Sequence, residues 1–289
     1  MFGLSVALTT PFSQAGAIDD ILMVAHSKWV LQNGANSITL FGTTGEGTSI
    51  SQIEKFKTLQ MLIKQDIPPS KIIAAVMTSS LQDAVLQCLE YHELGVKRIL
   101  IAPPFFFKDL GFEGLLSWFS AVFSTLRSHE IQFILYNIPQ LTMVEIKPEL
   151  ISALQSEFGS EMIFGVKDST GNLEGTLEFL KNKEIMVAVG DERTLADAML
   201  HGASGAICGM SNVFPRELSE VIKTTTHNAM VNKMTNLIVK APVTAGVKAL
   251  LAVKSDEKSW LMVRQPLEVS PQAHQLLLRK SLKLSVEKI

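Results

Sequence analysis

Residues 162–168 read MIFGVKD and run on into STGN at 169–172. The run Met162-Ile163-Phe164-Gly165-Val166 is apolar enough for a strand covered on both faces, and the polar residues behind it close the strand with a turn. Lys167 is the anomaly. An unpaired ammonium is costly to bury, and lysine is among the side chains least often fully buried. Asp168 gives no ready relief, because adjacent residues of a strand point to opposite faces.

Seven similar runs recur along the chain: GLSVAL at 3–8, SITLFG at 37–42, KIIAAVM at 71–77, RILIAPP at 98–104, FILYNIP at 133–139, IMVAVGD at 185–191 and GAICGMS at 205–211. The intervals 19–33, 51–65, 81–94, 112–128, 147–158, 173–182, 192–201 and 215–226 carry apolar residues at helical spacing. Near-continuous apolar strands, each followed by a helix, predict a parallel sheet covered by helices. Eight such units predict a closed (β/α)8 barrel rather than an open doubly wound sheet. No GxGxxG follows the first strand, and GTTGEG at 42–47 is neither that motif nor a GxxxxGK[ST] phosphate loop. Nucleotide binding is thereby disfavoured. The barrel is assigned to residues 1–226 and a C-terminal helical domain to 227–289, where 227–252 and 270–288 are helix-periodic, with an interruption at Pro242. These helices are expected on the barrel's side.

With 289 residues and 47% hydrophobic content, the chain suits a globular protein with a full core. A net charge of −2, with 26 basic residues spread along the chain, argues against nucleic acid and for a small diffusing substrate. Cys88 and Cys208 show neither CxxC nor metal-type spacing, so buried thiols and a reducing, cytoplasmic setting are expected. No apolar run approaches the length of a membrane span, and the six histidines show no paired spacing. Neither a metal nor a membrane partner is expected.

In a barrel of this type, function collects at the C-terminal ends of the strands. There stand Gly42-Thr43-Thr44-Gly45-Glu46, Tyr136-Asn137-Ile138-Pro139, Lys167 and Gly190-Asp191-Glu192. Each except the lysine has an ordinary reading: a turn, a core aromatic, an acidic helix start. For Lys167, desolvation favours the neutral amine. A neutral amine attacks carbonyls and forms a Schiff base, an electron sink for breaking or making an adjacent carbon–carbon bond. Tyr136, on the neighbouring strand, is placed to shuttle the protons. The Gly-flanked Thr43-Thr44 turn offers backbone amides and hydroxyls to a substrate carboxylate.

GTTGE at 42–46, YNIP at 136–139, GVKDSTGN at 165–172 and GDE at 190–192 resemble, in order and spacing, the signature segments of the dihydrodipicolinate synthase and N-acetylneuraminate lyase superfamily. The resemblance implies a pyruvate-dependent class I aldolase, with no metal or organic cofactor, assembled as a homotetramer. It further implies that Lys167 is the Schiff-base lysine, Tyr136 the relay tyrosine, Thr43 and Thr44 the pyruvate-carboxylate binders, and Ile207 a backbone contributor. Two positions depart from the synthase pattern: Leu141 stands where an arginine would receive the aldehyde's carboxylate, and Phe106 stands where a tyrosine from the neighbouring subunit would complete the relay. Proton transfer would then pass through Thr44, water or the substrate. Both departures point to cleavage of a 2-keto-3-deoxy sugar acid into pyruvate and an aldehyde, with Ser169, Asp191 and Glu192 as partners for sugar hydroxyls. The alternatives are a synthase condensing pyruvate with aspartate semialdehyde in lysine biosynthesis, and a catalytically silent keto-acid binder. Lys248, in TAGVKALLAV, is read as a helical lysine of ordinary reactivity.

Overall fold

The computed structural model describes residues 2–239 and 242–268. Its strands are β1 Gly3–Ala7, β2 Ser37–Leu40, β3 Ile72–Val76, β4 Arg98–Ile101, β5 Gln132–Asn137, β6 Ile163–Asp168, β7 Met186–Val189 and β8 Gly205–Cys208. All eight pair in parallel and in sequence order, and β8 pairs back onto β1 to close the barrel. The helices are α1 Asp20–Gln32, α2 Gln52–Lys64, α3 Leu81–Glu93, α4 Phe112–Leu126, the single-turn α5 Pro139–Thr142, α6 Pro148–Phe158, α7 Leu173–Phe179, α8 Leu195–Leu200, α9 Pro215–Thr224, α10 Ala229–Ile238 and α11 Val243–Ser255.

Local chemistry sets where the helices begin. Asp19 caps α1 and Ser80 caps α3, each accepting from a first-turn amide. Ser51 and Glu54 close a reciprocal capping box on α2, which fixes the chain's direction as it leaves the loop after β2.

Strand alternation sorts the core into two sets. Leu4, Val6, Ile72, Ala74, Ile99, Ile101, Phe133, Leu135, Val166, Val187 and Cys208 face outward and merge with the helices' apolar faces. The inward set is smaller: Ala7, Ile73, Ala75, Leu100, Ala102, Ile134, Tyr136, Met186, Ala188 and Ile207. Lys167 follows the outward-facing Val166 and precedes Asp168, so it belongs to the inward set. Its register partners are Tyr136 on β5 and Ala188 on β7. A small residue on one side and a ring on the other leave room for an amine.

The helical periodicity of 227–252 resolves into α10 and α11, parted at Pro242, which is the residue preceding α11. α11 does more than lie on the barrel's side. Its Thr244 hydroxyl donates to the Thr43 carbonyl at 3.2 Å, which brings the helix to the mouth of the barrel. The helical repeat expected over 270–288 falls outside the described residues. No helix among the described residues is long and apolar enough to cross a membrane.

Candidate active site

Lys167 is only 4% exposed, and its Nζ stands 4.1 Å from the centre of the Tyr136 ring. Among the described residues it forms no ion pair, unlike Lys248, which is also deeply buried. Asp168 points the other way. It accepts from Asn137 Nδ2 at 3.0 Å, from Thr170 Oγ1 at 3.0 Å and from Thr176 Oγ1 at 2.6 Å. Asn137 in turn accepts from the Ile146 amide at 3.0 Å. This outward network locks the C-terminal ends of β5 and β6 together, and with them the separation of Tyr136 and Lys167. The DST turn was its sequence signal, since short polar side chains bond their own backbone at such turns.

The Tyr136 hydroxyl lies 3.2 Å from Thr43 Oγ1. The threonine of the turn that meets this hydroxyl is thus Thr43. Thr44 turns instead toward the exit of β8, where its Oγ1 lies 3.3 Å from the position a Cβ on Gly209 would occupy. Ile207, on β8, is fully buried in the inward set. The turn that carries both threonines is held closely against the strand before it. A Cβ on Gly47 would fall 1.6 Å from the Phe41 carbonyl oxygen, so only glycine fits there. Thr10 Oγ1 donates to the Gly45 carbonyl at 2.7 Å and anchors the turn from β1's side.

The three residues expected to meet sugar hydroxyls differ. Glu192 is buried, and its carboxyl turns into the protein to accept the Met210 amide at 2.6 Å. Burial raises its pKa, and raises that of the adjacent Cys208 thiol well above the usual range. Asp191 is held bidentately by Arg193, with Nε 2.9 Å from Oδ1 and Nη2 2.5 Å from Oδ2. Both carboxylates are thus engaged by protein, because the GDE segment folds back on itself to begin α8. Ser169 remains two residues beyond Lys167, its hydroxyl packed over the bare Cα of Gly190. Leu141, on α5, is 58% exposed, and Phe106 is 74% exposed with its ring edge-on to Phe107. Lys108 reaches across from the Phe105 carbonyl to that of Thr142, so a cation stands beside Leu141. A cleft of about 460 Å³ bordered by Gly47, Lys55, Ser79, Gln87 and Phe105 is separate, and none of Lys167, Tyr136, Thr43 or Thr44 lines it.

Lys248 lies on a helix as expected. It is fully buried, ion-paired with Glu46, and burial lowers its pKa to about 8 against the opposing pull of that carboxylate. No His, Cys, Asp or Glu cluster among the described residues could hold a metal ion.

Known proteins match this chain over most of its length. The model of the dihydrodipicolinate synthetase family matches residues 1–285. An uncharacterized DapA-like lyase of Chloroflexus aurantiacus is 32% identical over 216 residues, which cover 74% of this chain and 71% of that one. The crystal structure of dihydrodipicolinate synthase from Agrobacterium tumefaciens superposes with a TM-score of 0.93 at 39% identity, covering 96% of this chain and 97% of that one. The chloride-inhibited dihydrodipicolinate synthase of Acinetobacter baumannii, complexed with pyruvate, matches with a TM-score of 0.83 at 26% identity, covering 97% of each chain. The chain belongs to the dihydrodipicolinate synthetase family. It is a carbon–carbon lyase of the Schiff-base, class I aldolase type.

Proposed function

We propose that the protein condenses pyruvate with aspartate semialdehyde, acting as a 4-hydroxy-tetrahydrodipicolinate synthase. The observation that carries this reading is the buried, carboxylate-free Lys167 beside a tyrosine whose hydroxyl meets Thr43. The Thr43-Thr44 amides and the Thr44 hydroxyl grip the pyruvate carboxylate. Lys167 Nζ attacks the C2 carbonyl, and Tyr136 with Thr43 moves the amine proton toward the departing oxygen. Loss of water gives the iminium. Loss of a C3 proton then gives an enamine, whose C3 attacks the aldehyde carbon.

Condensation is favoured over sugar-acid cleavage on two grounds. Glu192 and Asp191, needed as polyol partners, are engaged by Met210 and Arg193, which leaves Ser169 alone. The Agrobacterium tumefaciens structure that superposes with a TM-score of 0.93 is itself a dihydrodipicolinate synthase. Leu141 cannot receive the semialdehyde's carboxylate, and the cation beside it, Lys108, takes that part in our reading. Leu141 and Phe106, the two departures from the synthase pattern, favour cleavage of a 2-keto-3-deoxy sugar acid, which is the second reading.

Borohydride trapping with pyruvate, followed by peptide mass spectrometry, tests the Schiff base: a mass increase confined to the Lys167 peptide is expected, and an unmodified Lys167 overturns both readings. Consumption of pyruvate with aspartate semialdehyde, measured beside pyruvate release from 2-keto-3-deoxygluconate and N-acetylneuraminate, separates them. Turnover of a sugar acid and not of the semialdehyde would reverse the choice.

A further inference from the structure

We infer that Lys248 and Arg264 are positioning residues for substrate binding, which through Glu46 fix the turn that presents Thr43 and Thr44; this rests on the reading of that turn as the keto-acid carboxylate grip.

Glu46 is a buried carboxylate on a left-handed backbone, φ 55°, a conformation that a non-glycine residue holds only when its surroundings enforce it. Both its oxygens face groups distant along the chain. Oε1 faces the Lys248 ammonium, and Oε2 accepts the Arg264 amide at 2.8 Å. Lys248 is itself aimed by the Met262 carbonyl at 2.6 Å and by the Phe12 ring, whose centre is 4.4 Å away. The Arg264 guanidinium lies 4.6 Å from the centre of the same Phe12 ring and donates to the carbonyls of Gly16 and Ser49 and to Glu54.

These contacts reach the substrate turn in one step. The Glu46 amide donates to the Thr43 carbonyl at 3.1 Å, and the Thr244 hydroxyl donates to the same oxygen. A rotation at Glu46 therefore moves the peptide that joins Thr43 to Thr44. Thr43 also meets the Tyr136 hydroxyl, so the same movement disturbs the relay. A misplacement of about 1 Å at a positioning group is enough to lose on the order of 100-fold.

The test compares Lys248→Met, Lys248→Arg and Thr244→Val with the unaltered chain. Two quantities are read: the pyruvate concentration giving half-maximal borohydride trapping, and the hydrogen-exchange rate of the peptide spanning residues 40–50 without pyruvate. Lys248→Met is expected to raise half-saturation by about tenfold or more, with full trapping at saturating pyruvate, and to speed exchange in that peptide. Lys248→Arg should restore most of both, and Thr244→Val should shift half-saturation by about two- to fivefold. A folded Lys248→Met chain with unaltered half-saturation and unaltered exchange overturns the inference. Should Lys248→Met not fold, unaltered values in Thr244→Val overturn it equally. If the unaltered chain does not trap pyruvate, the proposed function fails separately, and the exchange rates alone then decide whether the tether holds the turn.

Discussion

Two lysines of this chain carry the same signature, a cation inside an apolar run, and fold into opposite situations. Lys167 lies inside the barrel, faces a ring and an alanine, and forms no ion pair among the described residues. Lys248 lies outside the barrel on α11 and ends on a buried carboxylate. Burial alone does not make a reactive amine. What distinguishes them is whether the fold brings a carboxylate to the nitrogen: Lys248 ends on Glu46 and serves as a strut, whereas Lys167 faces a ring and an alanine and is left open toward the barrel mouth.

The largest effect expected from this contrast is on activity. Lys167→Ala should lower kcat/KM by at least about 10⁴-fold and abolish borohydride trapping, as expected for loss of a covalent nucleophile. Lys248→Met should still trap at saturating pyruvate. Stability should rank the two lysines the other way. Removing Lys248 strands a buried Glu46, a change that costs about 3–5 kcal/mol, whereas Lys167→Met removes an uncompensated buried polar group and should leave stability unchanged or higher. Urea denaturation of both variants checks this, and equal losses would erase the distinction.

Tyr136→Phe keeps the ring beside Lys167 and removes only the hydroxyl. It should slow turnover by about 10²-fold while the trapped adduct keeps its mass, which rapid-quench kinetics would show. A smaller effect comes from a third buried base. Burial lowers the pKa of His26 to about 4, partly offset by its hydrogen bond to Asn212. The folded pKa lies below the unfolded value of about 6.5, so the unfolded chain binds the extra proton between those limits. Stability is full above about pH 6.5 and falls as pH drops toward 4, by about 2 kcal/mol at pH 5 from this group alone. In His26→Gln the slope of stability against pH in that window should flatten by about one proton.

Much of this contrast was open to a reader of the sequence, and some was not. The eight apolar runs and their helical intervals lie within a few residues of the observed elements, because covered strands and amphipathic helices leave periodic marks. Lys167 and Tyr136 were legible for the same reason: inside a strand, position fixes direction. Beyond the strand ends that rule lapses. Asp191 turned to Arg193, Glu192 turned inward to Met210, and Thr43 rather than Thr44 met Tyr136, because loop backbone sets side-chain direction there and has no period. Lys248 carried the signal that marked Lys167. Its partner was hidden by distance along the chain, as was the bond from Arg264 to Glu46, which joins residues 218 positions apart.

That last bond bears on how the molecule is born. A ribosome releases the Thr43-Thr44 turn long before Arg264, and domains take shape as they emerge. The eight strands can therefore pair while the turn is still unclamped, and the turn takes its final position only once Lys248 and Arg264 have emerged.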